Sequence, residues 1–435
     1  MFLKNNKFQS YLLFLFPPAL VTGPFLPDLI MSISSIFFLF KLYIHKNLNF
    51  LNDDFLKIFS VFYIFIVFSS LASEEILFSL KNSFFYFRFL LFSYLIKYLI
   101  LNEKHFLKYF IFILFGVLLL ISIDAIVEYS LGSHWLFDKN SYNEFISLYR
   151  ISGLFDEEYI LGGFVLAFMG VVLFYFNEFY KNNKFLKIFL IFFSFIIFTI
   201  AVVISGERVS LVKLIILLMS VSLFTSFFIN KKNQITLFFV VIITIFLTLY
   251  SQPKLKERIV FHTLNLILQI DPENKITENT DLLNFFKNEE YKDFKITYFS
   301  SEHRDHALIS IKMFNENKLF GKGIKMFRIF CSKKENYINE RACSTHSHNI
   351  LLTFVSELGI IGLIFFLLIY FFLIKNIYKS HSNTQRVVLI TILIYLLPGI
   401  PSGYFFNNFF SMILYTLVGI YLGEKKRKNN LISYD

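Results

Sequence analysis

The sequence predicts an all-α polytopic membrane protein, with about twelve transmembrane helices and one large outer loop between the ninth and the tenth. Three observations support this fold class. The chain of 435 residues is 56% hydrophobic and has a mean hydropathy of +0.61. Its apolar residues form blocks of about 17 to 25, the length that crosses roughly 30 Å of hydrocarbon. One long polar segment, residues 251–347, separates two groups of such blocks.

The apolar blocks give the bounds of the predicted helices. These are 10–23, 26–44, 56–72, 83–101, 106–128, 159–177, 185–204, 209–229, 234–250, 348–374, 386–403 and 405–422. The first is short and contains Pro17 and Pro18. The predicted organisation is helices 1–9 in residues 1–250, a loop domain in 251–347, helices 10–12 in 348–422 and a tail in 423–435.

Basic residues orient the chain in the membrane. Lysine occurs at the N-terminus (Lys4 and Lys7) and the tail carries "EKKRKNN", whereas the short loops "VTGPFLPD" and "GIPSGYFFNN" contain no lysine or arginine. Positive residues favour the cytoplasmic side, so both termini are predicted to be cytoplasmic and the long loop lies outside. This orientation explains the net charge of +11 better than nucleic-acid binding does. No small-residue cleavage site follows the first block, so it is expected to remain as an anchor.

Both cysteines, Cys331 and Cys343, lie in the long outer loop. Disulfides persist on that side of the membrane, so the pair is predicted to be bridged. Two free thiols are the alternative if the geometry is unsuitable.

Three polar clusters are predicted at the outer face. They are "SGERVSL" with Arg208, "SSEHRDHALI" with His303, Arg304 and His306, and "STHSHNILLTFVSELGIIG" with His346 and His348. That three separate segments bring Arg or His to one membrane face is the main indication of a functional site. Arg208 could be an interfacial side chain that reaches the headgroups, or a planar donor for the phosphates of a lipid carrier. Arg304 could be an ordinary solvated loop residue.

The histidines allow three interpretations. His346 and His348 could simply precede a helix, with Ser344, Thr345 or Asn349 as its N-cap. They could bind a metal together with the loop histidines, but no carboxylate or thiolate pattern completes a known site, so no metal is predicted. One of them could be a general base for a hydroxyl group, because neutral imidazole titrates near the working pH.

Three ionisable residues are embedded in apolar blocks: Arg88, Asp124 and Glu357. Such groups face a cavity or a partner rather than lipid. An ion pair among them is the structural alternative, and it is favoured for Arg88. Gly359 and Gly362 form a small-residue face that would allow another helix to approach closely.

These motifs resemble a known family. "HNILLTFVSELGIIGL" is similar to the histidine motif of the bacterial O-antigen ligase and polymerase superfamily, most of all the ligases, although Leu363 replaces the Thr or Val of some members. "HRDHALISIKMFNENKLFGKGIKMF", "RISGLFDEEYILGGFV" and "SGERVSL" resemble further segments in the same order. The similarity extends from about Arg150 to Leu363.

The resemblance implies a metal-independent, inverting glycosyltransferase without a cofactor. Such enzymes move a glycan from undecaprenyl diphosphate to an acceptor at the periplasmic face of the bacterial inner membrane. The implied catalytic residue is His348, with His346 second, and the implied diphosphate ligands are Arg208 and Arg304. The implied supporting residues are Glu357, Asn349 and Arg150.

The leading functional hypothesis is an O-antigen ligase that acts on lipid A core. A polymerase that extends the glycan on its carrier and a protein O-oligosaccharyltransferase are alternatives within the same fold. A non-catalytic transporter of lipid-linked glycan is the alternative from another class. It is less favoured, because transporters usually show internal repeats and polar breaks near the bilayer midplane.

Overall fold

The computed structural model of the chain describes residues 6–45, 51, 53–132, 134, 150–156, 158–179, 184–225, 231–268, 277, 280, 301–339, 342–380 and 382–432. Within these ranges the regular structure is helical and no β-strand occurs. The helices are α1 (Asn6–Phe14), α2 (Phe16–Ala19), α3 (Phe25–His45), α4 (Asp54–Leu71), α5 (Ile76–Phe84), α6 (Phe87–Asn102), α7 (Phe106–Leu131), α8 (Leu161–Phe179), α9 (Lys184–Ile204), α10 (Arg208–Phe224), α11 (Lys231–Ser251), α12 (Pro253–Lys256), α13 (His262–Ile267), α14 (Ser301–Glu316), α15 (Phe327–Ser332), α16 (Ile350–Lys379), α17 (Asn383–Tyr395) and α18 (Asn408–Ile432).

Eight helical stretches of the described chain are long and apolar enough to cross a membrane. They are Phe25–Ile44, Asp54–Leu71, Ile76–Asn102, Phe106–Leu131, Leu161–Glu178, Phe185–Ile204, Lys232–Ser251 and Ile350–Lys379. The chain is therefore a multi-pass all-α membrane protein. The predicted spans 10–23, 209–229, 386–403 and 405–422 are not among the eight, so the twelve-span topology stays a prediction. Most of the predicted loop domain before residue 301 lies outside the described residues.

The helix predicted over 386–403 extends too far. α17 ends at Tyr395, and Pro398 and Pro401 follow. Proline lacks an N–H group and disfavours a helical conformation for the residue before it, which explains why the chain leaves the helix here. Residues 396–407 form no helix and are called the 396–407 loop below.

Helices α6 and α18 pack against each other through two glycines. A Cβ atom at Gly419 would lie 2.8 Å from Cβ of Ile96, and one at Gly423 would lie 2.7 Å from Cδ1 of Ile100. Glycines four residues apart allow helix backbones to approach this closely. Helices α6 and α18 therefore pack closely at these two glycines.

Helix α16 is interrupted at Gly359, whose φ of 66° and ψ of −160° are not helical. A broken helix leaves backbone groups that need partners, above all in apolar surroundings. Residues 318–323, called the docking loop below, supply them. The Ile360 N–H donates to the Lys318 carbonyl at 2.8 Å.

The docking loop fits because its glycines leave room. A Cβ atom at Gly321 would overlap the backbone of Glu357, and one at Gly359 would overlap the carbonyl of Leu319. The Gly323 N–H donates to the Glu357 carbonyl at 2.9 Å. The close approach predicted at Gly359 is therefore made by a loop, and the prediction of a second helix there is wrong.

Candidate active site

Four histidine side chains lie close together where α14 meets the start of α16. α14 carries His303 and His306, and His346 and His348 lie in the segment before α16. The ring of His348 lies 4.0 Å from that of His346, 5.0 Å from that of His306 and 6.1 Å from that of His303, measured between centroids. These residues are called the histidine cluster below, and His348 contacts each of the other rings.

A small apolar core supports this cluster. Ile309 and Met313 of α14 pack with Phe327 and Phe330 of α15 and with Cys331. The structure joins Cys331 and Cys343 in a disulfide, with the Cα atoms 5.2 Å apart. The chain that leads into His346 and His348 is thereby held against α14 and α15.

The backbone around His348 is fixed by the 396–407 loop. His348 has a φ of 51°, and its carbonyl accepts the Ser402 N–H at 2.9 Å. Asn349 is the N-cap of α16, because its side-chain oxygen accepts the Leu352 N–H at 3.2 Å. Its side-chain N–H donates to the Ile400 carbonyl at 3.4 Å. Of the three N-cap candidates the structure uses Asn349, which thus sets the direction of the chain beside His348.

Glu357 lies deep in α16 and is 1% exposed. The Tyr404 hydroxyl donates to its Oε2 at 2.6 Å, and the Lys325 N–H donates to the Tyr404 oxygen at 2.8 Å. The Tyr404 ring lies 5.5 Å from that of His346. Glu357 is therefore connected to the ring of His346 through Tyr404. A second embedded residue, Arg88, forms an ion pair with Asp28 of α3 at 3.0 Å.

Burial, together with the neighbouring histidines, lowers the pKa of His346 to about 3 and that of His348 to about 4. Both rings are only partly exposed. Their imidazoles are therefore neutral near pH 7, which is the form that accepts a proton.

Three arginines form a second cluster, called the arginine cluster below. The Arg258 Nε–H donates to the Gly206 carbonyl at 3.0 Å, in the turn that precedes Arg208 at the start of α10. Burial and the positive charges of Arg150 and Arg208 together lower the pKa of Arg258 to about 10. Arg150 donates to the Tyr159 carbonyl at 2.9 Å. The cluster consists of Arg150, Arg208 and Arg258.

The sequence does not identify Arg258 as a site residue. The segment "QPKLKERIVFHTLNLILQ" reads as one amphipathic surface helix, in which Arg258 looks like another solvated basic residue. In the structure the helix contains a π-helical turn, Glu257–Phe261. Such turns change the direction of side chains and often occur at functional sites. No signal in the local sequence distinguishes Arg258 from its basic neighbours.

Glu207 shapes the turn beside the arginine cluster. Its carboxylate accepts the N–H groups of Gly162 at 2.8 Å and Gly163 at 3.2 Å, at the start of α8, and the Ser210 hydroxyl at 2.7 Å. Burial raises the pKa of Glu207, although these hydrogen bonds oppose the shift. A carboxylate at a helix N-terminus is stabilising, so Glu207 fixes the turn from which Arg208 projects.

The two clusters lie at the same end of the helical bundle. The 396–407 loop holds His348, as described above. Immediately after this loop, Phe409 of α18 packs on Phe155 and Phe164, with ring centroids 6.3 Å and 6.1 Å apart. Phe155 belongs to the segment that follows Arg150. One short stretch of chain therefore contacts the surroundings of both clusters.

Arg304 belongs to the histidine side of this arrangement. It lies on α14 next to His303, its side chain is 59% exposed, and its Nε lies 3.7 Å from Oδ1 of Asp305. The structure thus groups Arg208 with Arg150 and Arg258, whereas Arg304 is carried by the helix of the histidine cluster.

The fold and these clusters define a multi-pass membrane protein with basic and imidazole groups gathered at one end. Residues 192–367 match the family described as O-antigen ligase. This match supports membership of the O-antigen ligase superfamily of membrane glycosyltransferases and confirms the resemblance seen in the motifs. It includes Arg208, Arg258, Arg304 and His348, whereas Arg150 precedes it. Comparison with curated proteins finds no match.

The lowered pKa values of His346 and His348 predict a loss of stability in acid. Unfolded histidine titrates near about 6.5, so the unfolded chain takes up protons first as the pH falls. The free energy of unfolding should therefore decrease from about pH 6.5 towards pH 4. Thermal unfolding in detergent at several pH values measures this. A chain with His346→Asn and His348→Asn should lose less stability between pH 7 and pH 4.5 than the wild type. Equal losses would contradict the burial of neutral imidazoles.

Proposed function

We propose that the chain transfers a glycan from undecaprenyl diphosphate to a hydroxyl group of lipid A core, as an O-antigen ligase. The observation that carries this proposal is the placement of the histidine cluster and the arginine cluster at one end of the bundle. A neutral imidazole suits the activation of a hydroxyl nucleophile, and several guanidinium groups suit a diphosphate leaving group. Family membership supports glycosyl transfer in general.

His348 is the proposed general base. The acceptor oxygen attacks the anomeric carbon while its proton passes to the imidazole of His348. The bond from that carbon to the diphosphate oxygen breaks, and the electron pair leaves with the diphosphate. A single displacement of this kind inverts the anomeric configuration. His346, with its ring 4.0 Å away, is the second candidate for the base.

The arginine cluster is the proposed site of the diphosphate. The positive charges of Arg150 and Arg208 help to lower the pKa of Arg258, and a bound anion would relieve this repulsion. They stabilise the charge that develops on the leaving group, which is why no metal is needed in this mechanism. Arg304, from the histidine side, is proposed as a further ligand once the donor is bound. Arg258 joins the residues implied by the motifs.

Donor binding should also strengthen the base. The pKa of His348 is lowered by burial and by its histidine neighbours. A diphosphate nearby is negatively charged, and negative charge raises the pKa of an imidazole. We infer that the donor binds before the acceptor hydroxyl is activated.

We further propose that the protein lies in the bacterial inner membrane with both clusters at the periplasmic face. α18 begins beside the clusters and ends in the basic sequence "EKKRKNN". Positive residues favour the cytoplasmic side. The C-terminus is therefore assigned to the cytoplasm, and the N-terminus to the same side.

A strain with His348→Ala tests the proposed ligase activity. Loss of the base should abolish at least 99% of the transfer, in line with the roughly 10²- to 10⁴-fold effect of general bases. The surface polysaccharide is examined by gel. The expected result is bare lipid A core with long glycans retained on the carrier. His105→Ala, at the start of α7, is the matched control and should leave the pattern unchanged.

Other outcomes of this experiment separate the alternatives. Core that bears a single repeat unit would indicate a polymerase, and glycan retained on the cytoplasmic side would indicate a transporter. Wild-type polysaccharide in the His348→Ala strain, at equal protein level, would contradict a catalytic role for this histidine.

Arg258→Ala tests the diphosphate site with purified protein and a lipid-linked donor. Removal of one charged donor should raise the donor KM and lower kcat/KM about tenfold or more. Lys254→Ala, four residues earlier on the same helical segment, is the matched control and should retain both constants. Equal effects of the two substitutions would count against a specific site at Arg258, because they would reflect overall charge.

A further inference from the structure

A group of buried side chains of the types that bind metal ions lies at the end of α7, apart from the histidine cluster. Asp124 and Glu128 are one turn apart on α7, and His134 follows Gly132, whose φ of 71° ends the helix. One ligand atom from each of Asp124, Glu128 and His134 lies within 4.8 Å of the others, and all three residues are buried. Oδ2 of Asp124 is 3.4 Å from Nε2 of His134.

Two carboxylates in such proximity repel each other, and burial makes each charge costly. A divalent cation would offset both charges, and the three ligand atoms are close enough together, within 4.8 Å of one another, to contact one ion. The spacing of about one helical turn is also the usual way in which a helix presents two ligands to one ion.

We propose that Asp124, Glu128 and His134 bind a divalent cation. The mixture of carboxylate oxygen and imidazole nitrogen favours Zn²⁺ or Mn²⁺ over Mg²⁺ and Ca²⁺, which prefer ligands that are all oxygen. The site was not predicted from the sequence. The sequence identifies Asp124 only as an embedded group.

The cation would organise the segment that leads to the arginine cluster. The Gly153 N–H donates to Oε2 of Glu128 at 2.8 Å. A Cβ atom at Gly153 would lie 3.2 Å from Oδ2 of Asp124, so this backbone rests directly on the carboxylates. Arg150 is three residues earlier. The proposed role is structural, and it does not depend on the reaction proposed above.

Metal binding by the full-length protein in detergent tests this inference. The affinity tag is removed, the protein is treated with a chelator and desalted, and Zn²⁺, Mn²⁺ or Mg²⁺ is then added singly. Elemental analysis after equilibrium dialysis gives the stoichiometry, and thermal unfolding gives the change in Tm. We expect one Zn²⁺ or Mn²⁺ ion per chain and a Tm that rises by roughly 2–5 °C, with no effect of Mg²⁺ at the same concentration.

Asp124→Asn and His134→Gln should each weaken binding at least tenfold and remove the rise in Tm. If Asp124→Asn does not fold, His134→Gln decides. His303→Gln is the matched control, because the histidine cluster could also hold an ion, and it should retain the full stoichiometry. Absence of bound ion in the wild type, retention of the ion in His134→Gln, or its loss in His303→Gln would each overturn the proposal.

Discussion

The backbone of the docking loop completes the hydrogen bonds of a helix that is long enough to cross a membrane and is interrupted at Gly359. An unpaired N–H or carbonyl group in apolar surroundings costs several kcal/mol. The docking loop avoids this cost because it forms hydrogen bonds with the helix on both sides of the break. Besides those of Ile360 and Gly323, the Lys322 N–H donates to the Ser356 carbonyl at 3.3 Å. Ser69 of α4 also donates its hydroxyl to the loop, at the Phe320 carbonyl, at 2.9 Å.

The docking loop also determines where the histidines meet. It directly follows α14, which carries His303 and His306, and it binds the first half of α16, which follows His348. The relative position of these two elements is therefore set by backbone contacts rather than by the imidazoles themselves. The disulfide and the hydrogen bond between Tyr404 and Glu357 also hold this region. The candidate active site thus depends on the interruption of α16 at Gly359 and on the docking loop, which pairs the backbone groups at that interruption.

Much of this arrangement could be predicted from the sequence. Apolar blocks locate the long helices, because length and hydropathy suffice for that. The motif around His348 carries the resemblance to the O-antigen ligase family, and the match over residues 192–367 supports that resemblance. The break at Gly359 could not be predicted, because its partner lies about forty residues earlier and a glycine in a helix is compatible with several roles. The role of Arg258 depends on a π-helical turn, and the non-helical 396–407 loop contains enough apolar residues to resemble a span.

Hydrogen–deuterium exchange on the Gly321→Ala chain tests the docking of the loop most directly. A Cβ atom at this position overlaps the backbone of Glu357, so the loop should leave the break. Exchange should become faster in peptides that contain Ile360 and in those that cover residues 344–349. Gly116→Ala, where a Cβ atom meets open space, should exchange like the wild type. Unchanged protection of residues 344–349 in Gly321→Ala, together with loss of protection at the loop, would contradict the claim that docking positions the histidines.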